Sequence, residues 1–167
     1  MPCIYYGTEQ GFDGGGDNDS YVRECMFGGN WGAFDSTGGH FFKPSHPIYK
    51  SIARIAAIRR SEPALRYGRQ YFREISGNGT DFGYPIDGKC TLAYSRILDD
   101  SEILIALNLD AEPRADYITV DANLNAEGVK LKNLLDPRTQ ISVEARGSRH
   151  AVKVPLASHG MAILRRS

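Results

Sequence analysis

From Gly68 onward, turn signals recur every ten residues or so, at 77–79, 99–101, 111–113, 126–128, 136–138 and 146–148. Between them lie strand-like runs: Gln70–Ile75, Thr91–Leu98, Glu102–Leu109, Asp116–Val120, Leu131–Leu134, Gln140–Val143, Ala151–Val154 and Met161–Leu164. Many short strands with hairpin-length gaps predict an antiparallel Greek-key β-sandwich over residues 69–167, with no long helix inside it. The predicted core comprises Leu92, Tyr94, Ile103, Ile105, Leu107, Ile118, Val120, Leu134, Val152, Val154, Ile163 and either Ala162 or Leu164.

The first 68 residues follow other rules. Pro2–Tyr6 is a continuous apolar run, which reads as a strand buried on both faces. It leads into a stretch rich in Gly, Asp, Asn and aromatic residues that extends to position 46 and shows no periodicity of its own. A loop of that length is usually functional or disordered. Ile48, Ile52, Ile55 and Ile58 then define one apolar stripe, predicting a helix over 47–61. Ser45 or His46 can cap it, Pro47 suits its first turn, and Pro63 discourages its continuation past Glu62.

Composition excludes several classes. Twenty basic side chains balance twenty acidic ones, so no overall field favours nucleic acid or an anionic membrane, and neither is an expected partner. Cys3, Cys25 and Cys90 form no CxxC pair and no disulfide framework. No signal peptide and no membrane-spanning stretch is evident, so the chain is expected to be soluble, and its compartment is not readable. Asp13, Asp17 and Glu24 fall on positions 1, 5 and 12 of a calcium-loop register, but Gly15 and Asn18 occupy positions where that loop needs an oxygen ligand and a glycine. The four histidines show no metal-ligand spacing, and no GxSxG, Walker or dinucleotide fingerprint is present.

A lone parallel-type strand is not stable without neighbours, which implies that partner strands lie upstream. The segment Pro2-Cys-Ile-Tyr-Tyr-Gly-Thr-Glu-Gln10 resembles the eighth barrel strand of α-amylase-family glycoside hydrolases, whose pattern there is approximately Pro-x-x-Tyr-x-Gly-x-Glu. Gly14–Asp19, Arg23-Glu24, the helix, and then Ile58-Arg-Arg-Ser-Glu-Pro-Ala-Leu65 with Gly68 are similar to the loop, helix and exit that close that barrel. Leu104-Ile-Ala-Leu-Asn108 resembles the family's hydrophobic strand ending in Asn, and Gly160–Leu164 its closing strand.

The resemblance implies a division into 1–68, the end of a (β/α)8 barrel (strand, loop and helix), and 69–167, the all-β domain that follows it. A chain of 167 residues is too short for a whole barrel, which takes about 250. It also implies a parent enzyme that cuts or transfers α-glucosidic bonds with retention. That chemistry needs two carboxyl groups about 5 Å apart, and the family carries them on barrel strands that would precede residue 1. No catalytic residue is therefore assigned to this chain; Glu9 and Glu24 are the nearest carboxylates, and neither matches the family's catalytic positions.

Active sites of such barrels lie at the carboxyl ends of the strands. Asp19 and Arg23 have the spacing of a sugar-binding pair found in some family members, and Trp31 is the best aromatic platform in the loop. These three are the candidate substrate contacts in an intact parent, with α-glucan as the substrate. No cofactor is assigned to this chain, and calcium belongs, if anywhere, to the intact parent.

Two other expectations complete the reading. A stand-alone carbohydrate-binding or structural sandwich is the alternative, weakened because past residue 84 the only aromatic rings are Tyr94 and Tyr117. The orphan strand, with unpaired edges, implies either a homodimer through strand pairing or refolding of 1–46 against the β domain.

Overall fold

The computed structural model describes residues 3–12, 19, 26 and 42–167. The chain divides into two units, Met1–Ile58 and Arg59–Ser167.

In the second unit the period-two runs become antiparallel strands. Among the described residues these are β1 (Arg69–Phe72), β2 (Ile75–Ser76), β3 (Thr91–Leu98), β4 (Ser101–Asn108), β5 (Arg114–Val120), β6 (Lys130–Asn133), β7 (Gln140–Ser142), β8 (Glu144–Arg146), β9 (Arg149–Leu156) and β10 (Met161–Arg166). They form a six-stranded sheet in the order β1-β3-β4-β10-β6-β7 and a four-stranded sheet in the order β2-β5-β9-β8. Side chains from both sheets share one core, so the architecture is an antiparallel β-sandwich, as the sequence predicts.

The predicted strand Gln70–Ile75 is divided between the sheets, and the chain crosses again just after the predicted strand Gln140–Val143, into β8, which the sequence does not predict. At Arg73 the amide still donates to Ala93 of the large sheet, whereas the Glu74 carbonyl already accepts from the Thr119 amide of the small one. The second crossing falls at Val143, which is 1% exposed and bonds through its amide to Val129. Each crossing lets the chain serve both layers.

The core departs from the prediction in one respect. Ile118, Val120, Val152 and Val154 do face the other sheet. On the large sheet, however, the residues that meet them are Ala93, Leu104, Ala106, Ala162 and Leu164. Ile103, Ile105 and Ile163 are buried as well, but side chains alternate along a strand, so they occupy the opposite face. Leu92, Tyr94, Leu107 and Leu134 are only half-buried. Both faces of β4 are apolar, and a period of two cannot tell which one meets the second layer. Small residues on one sheet also fit against large ones on the other, as close packing requires.

Helix α1 spans Pro47–Ser61, as predicted, and none of its residues is buried among the described residues. Ile48 and Ile55 of its stripe are 41% and 38% exposed. Its end at Glu62 opens a second helix that the sequence reading did not anticipate, α2 (Pro63–Tyr67), with Pro63 in its first turn. Proline lacks the amide that would continue the first helix, and its fixed φ suits the start of another.

Helix α2 packs on β3 and β4. Gly68, which follows it, has φ −63° and ψ 154°, a conformation open to any residue. Space makes it glycine, since a Cβ would approach the Ala64 carbonyl oxygen to 2.5 Å and that of Ile97 to 2.7 Å. The Arg96 guanidinium grips the Gly68 carbonyl through Nε at 3.1 Å and Nη2 at 2.7 Å. We expect Gly68→Ala to destabilise the second unit by about 1–3 kcal/mol, the range for overpacking. Urea denaturation checks this, and a midpoint equal to that of the natural chain would show that the strand end shifts freely.

The segment read as a barrel strand is unpaired in this structure. Cys3–Tyr6 has no strand pairing, and Ile4, Tyr5 and Tyr6 are 58%, 57% and 43% exposed. A strand is held by neighbours on its edges, and among the described residues none is present.

Candidate functional site

In the first unit, Thr8–Gln10 forms one 3₁₀ turn between Gly7 (φ 85°) and Gly11 (φ 77°). The left-handed conformation at Gly7 suits glycine, and so does its surroundings, since a Cβ would lie 2.4 Å from the Phe12 ring. Gln10 is 8% exposed, and its side chain clamps the backbone of residue 43. The Lys43 amide donates to Gln10 Oε1 at 2.9 Å, and Gln10 Nε2 donates back to the Lys43 carbonyl at 3.5 Å. The Tyr-x-Gly-x-Glu pattern thus specifies a tight clamped turn, with Glu9 half-buried upon it.

Of the candidate substrate contacts, Asp19 is exposed and helical in conformation. Arg23 and Trp31 lie outside the described residues, as do Glu24 and the failed calcium register's Asp13 and Asp17.

In the second unit each buried acidic side chain is already engaged. Glu102, its side chain 2% exposed, accepts from Arg73 Nη2 at 2.6 Å, from the Ser95 hydroxyl, from the Asp121 amide at 2.9 Å and from Asn125 Nδ2 at 2.6 Å. Asp116 accepts from the Thr91 hydroxyl at 2.6 Å and from Arg114 Nε at 3.0 Å. That pairing is the main reason the Arg114 guanidinium is held above its usual pKa. Glu62 binds Arg165 Nη1 at 2.7 Å. At the corner between sheets Arg149 pairs with Glu74 at 2.7 Å, and its hydrogen bond draws the Glu74 carboxyl below its ordinary pKa. Burial pushes the Cys90 thiol up, away from reactive thiolate chemistry. No three His, Cys, Asp or Glu side chains converge on a metal site among the described residues.

Asn108, 3% exposed, ends β4 and joins two loops, 109–113 and 157–160. Its Nδ2 donates to the carbonyls of Glu112 and Ala157, both at 2.8 Å, and its Oδ1 accepts from the Asp110 amide at 2.9 Å. The strand-ending asparagine is therefore a structural tie.

One surface feature escaped the sequence reading. Tyr71, Phe72 and Tyr84, at 44%, 57% and 60% exposure, stand together on the sandwich and line one groove. An exposed aromatic cluster does exist there, contrary to the inference drawn from the scarcity of rings past residue 84. The signal was available in Tyr71-Phe72: adjacent residues of a strand point to opposite faces, and on an edge strand neither face is fully covered.

No family model matches the chain. Among curated proteins, the α-amylase of Streptomyces lividans is 31% identical over 165 residues, covering 88% of this chain and 17% of that protein. A cyclomaltodextrin glucanotransferase of Niallia circulans is 27% identical over 165 residues, covering 98% of this chain and 19% of its own length. The chain belongs with the α-amylase family.

The chain thus spans less than a fifth of the length of these two curated relatives. Fold agrees with sequence. An Anoxybacillus α-amylase superposes with a TM-score of 0.62 at 20% identity, over 98% of this chain and 28% of that one. A debranching enzyme from Nostoc punctiforme gives 0.58 at 23% identity, over 97% of this chain and 27% of that one. No helix among the described residues is long and apolar enough to cross a membrane.

Proposed function

We propose that this α-amylase-family chain is the carboxy-terminal part of an enzyme acting on α-glucans such as starch and maltooligosaccharides, and that its β-sandwich stabilises the catalytic barrel without itself performing chemistry. The observation that carries this reading is the 31% identity to an α-amylase across 88% of the chain. A further relative by fold, the α-amylase of Geobacillus thermoleovorans, was solved in complex with acarbose, and it superposes with a TM-score of 0.56 at 14% identity. The sandwich supports a scaffolding role, since Glu102, Asp116 and Glu62 each accept hydrogen bonds from internal donors. A retaining pair needs one carboxyl free to attack and another free to deliver a proton.

In an intact enzyme, Asp19, Arg23 and Trp31 remain the proposed sugar contacts, because the loop that carries them follows the segment resembling a barrel strand. Any calcium would likewise be held by the parent.

The test is a reducing-end assay. The 167-residue chain incubated with starch should show no turnover, while the product of the longer gene should hydrolyse or transglycosylate the same substrate. Turnover by the short chain that survives Glu9→Gln and Glu24→Gln would overturn the non-catalytic assignment. A longer product inert on every α-glucan would overturn the substrate class.

A further inference from the structure

The turn at 77–79 has a chemistry of its own, since Asn78-Gly79 is the only Asn-Gly pair in the sequence. Such a pair is open to spontaneous deamidation, because glycine places no side chain in the path of its own amide nitrogen. In that reaction the glycine nitrogen attacks the asparagine Cγ, and the new N–C bond closes a succinimide ring. The Cγ–Nδ2 bond breaks, and ammonia leaves with the proton that the glycine amide gives up. Water then opens the ring on one side or the other, leaving aspartate or isoaspartate.

The fold uses both residues. Gly79 is buried with φ 79°, and a Cβ there would lie 3.0 Å from the Tyr117 ring. Asn78 is exposed, yet its side chain organises the turn. Its Oδ1 accepts from the Ser76 hydroxyl at 2.9 Å, from the Thr80 amide at 2.9 Å and from the Asp81 amide at 3.0 Å. Its Nδ2 donates to the Asp81 carboxylate at 2.6 Å, and the Gly79 amide donates to the Ser76 hydroxyl at 2.9 Å.

We infer that Asn78 is a latent deamidation site, held shut by the folded turn and opened when residues 76–81 come apart. Attack requires Cγ to swing over the Gly79 nitrogen while that amide is free to lose its proton. In the fold the carbonyl oxygen is fixed on two backbone amides further along the chain, the leaving nitrogen is tied to Asp81, and the attacking N–H is engaged by Ser76. Ring closure therefore waits on local opening. The mark it leaves is permanent. Either product lacks the Nδ2 donor and sets a second carboxylate against Asp81. Isoaspartate also adds a methylene to the main chain, inside the loop that Ile75 and Gly83 close with bonds of 2.8 and 3.0 Å. A molecule modified while open cannot rebuild this turn as it stood, so the site records excursions to the open state.

The experiment is peptide mapping by mass spectrometry, which separates asparagine, aspartate and isoaspartate at position 78. The 167-residue chain is incubated at mildly alkaline pH, folded in one arm and unfolded by guanidinium in the other. Conversion in the folded arm should be at least about tenfold slower, a difference of about 1.4 kcal/mol in the barrier. Ser76→Ala removes the acceptor of the attacking amide, and Asp81→Ala frees the leaving nitrogen. Each should speed conversion in the folded chain by about threefold or more, on the scale of one hydrogen bond. Circular dichroism and the thermal midpoint establish that each variant is folded, and Asp81, exposed on the turn, guards against a Ser76 variant that is not. Equal rates in the folded and unfolded natural chain overturn the proposal. So does a folded Asp81→Ala variant that converts as slowly as the natural chain, because protection would then owe nothing to this clamp. Chain deamidated in guanidinium and then refolded should melt below the unmodified chain; an equal midpoint would show that the turn rebuilds and that the modification leaves no lasting mark on the fold.

Discussion

Glu102→Ala is expected to lower the stability of the sandwich by about 3–5 kcal/mol, the cost of leaving a buried charge without its partner. The carboxylate lies 2% exposed at the convergence of four donors, and Arg73, 14% exposed, is among them. Removing it strands the guanidinium, the Ser95 hydroxyl, the Asp121 amide and the Asn125 amide together. Against a domain stability of about 5–15 kcal/mol, the loss approaches unfolding. Glu102→Gln should cost nearly as much, since one carboxylate oxygen becomes an NH2 group that meets donors. Replacing Arg73 and Glu102 together by leucines should restore part of the loss, because a desolvated pair is often matched by apolar packing. Chemical denaturation of the three variants decides this, and a single variant within about 1 kcal/mol of the natural chain would mean that water reaches the network and that the pair is a surface one.

Asn108→Ala should cost about 3 kcal/mol, because it leaves two carbonyls and an amide near the end of β4 without partners, at roughly 1–3 kcal/mol for each group left unpaired and dry. The carbonyls belong to Glu112 and Ala157, 4 and 49 positions along the chain from Asn108. Asn108→Asp should be comparably damaging, since a carboxylate can keep the bond from the Asp110 amide but cannot donate to either carbonyl. Hydrogen exchange at residues 110–113 and 157–160 provides the readout. Protection unchanged in both variants would show that the tie is redundant.

Local periodicity made much of this fold legible. Helix α1 ends where Pro63 says it must, and the strands fall where apolar residues alternate between turn residues. What was not legible depends on partners distant in sequence. Ile103 and Leu104 are equally apolar, and only the presence of Ile118 and Val152 opposite decides that Leu104 faces the shared core. The run Cys3–Tyr6 has the composition of a buried strand, yet pairing is a property of neighbours and not of composition. Asn108 could be recognised as a family feature, but its reason, a carbonyl 49 positions away, could not. For the site the situation is similar: Asp19 is exposed, Arg23 and Trp31 lie outside the described residues, and the aromatic groove needed a sheet edge to bring Tyr84 beside Tyr71.

The position of β10 sets a timetable for synthesis. Met161–Arg166 inserts between β4 and β6, pairing Ile163 with Ile105 on one side and Leu164 with Asn133 on the other. Until those residues clear the ribosome, the large sheet exists as two pieces, and β4 presents an open apolar edge to any other nascent chain. The sandwich therefore cannot close cotranslationally one hairpin at a time. A stalled or prematurely terminated message lacking this strand would yield an aggregation-prone half-sheet, and it is the kind of product that a cell's quality control must remove rather than rescue.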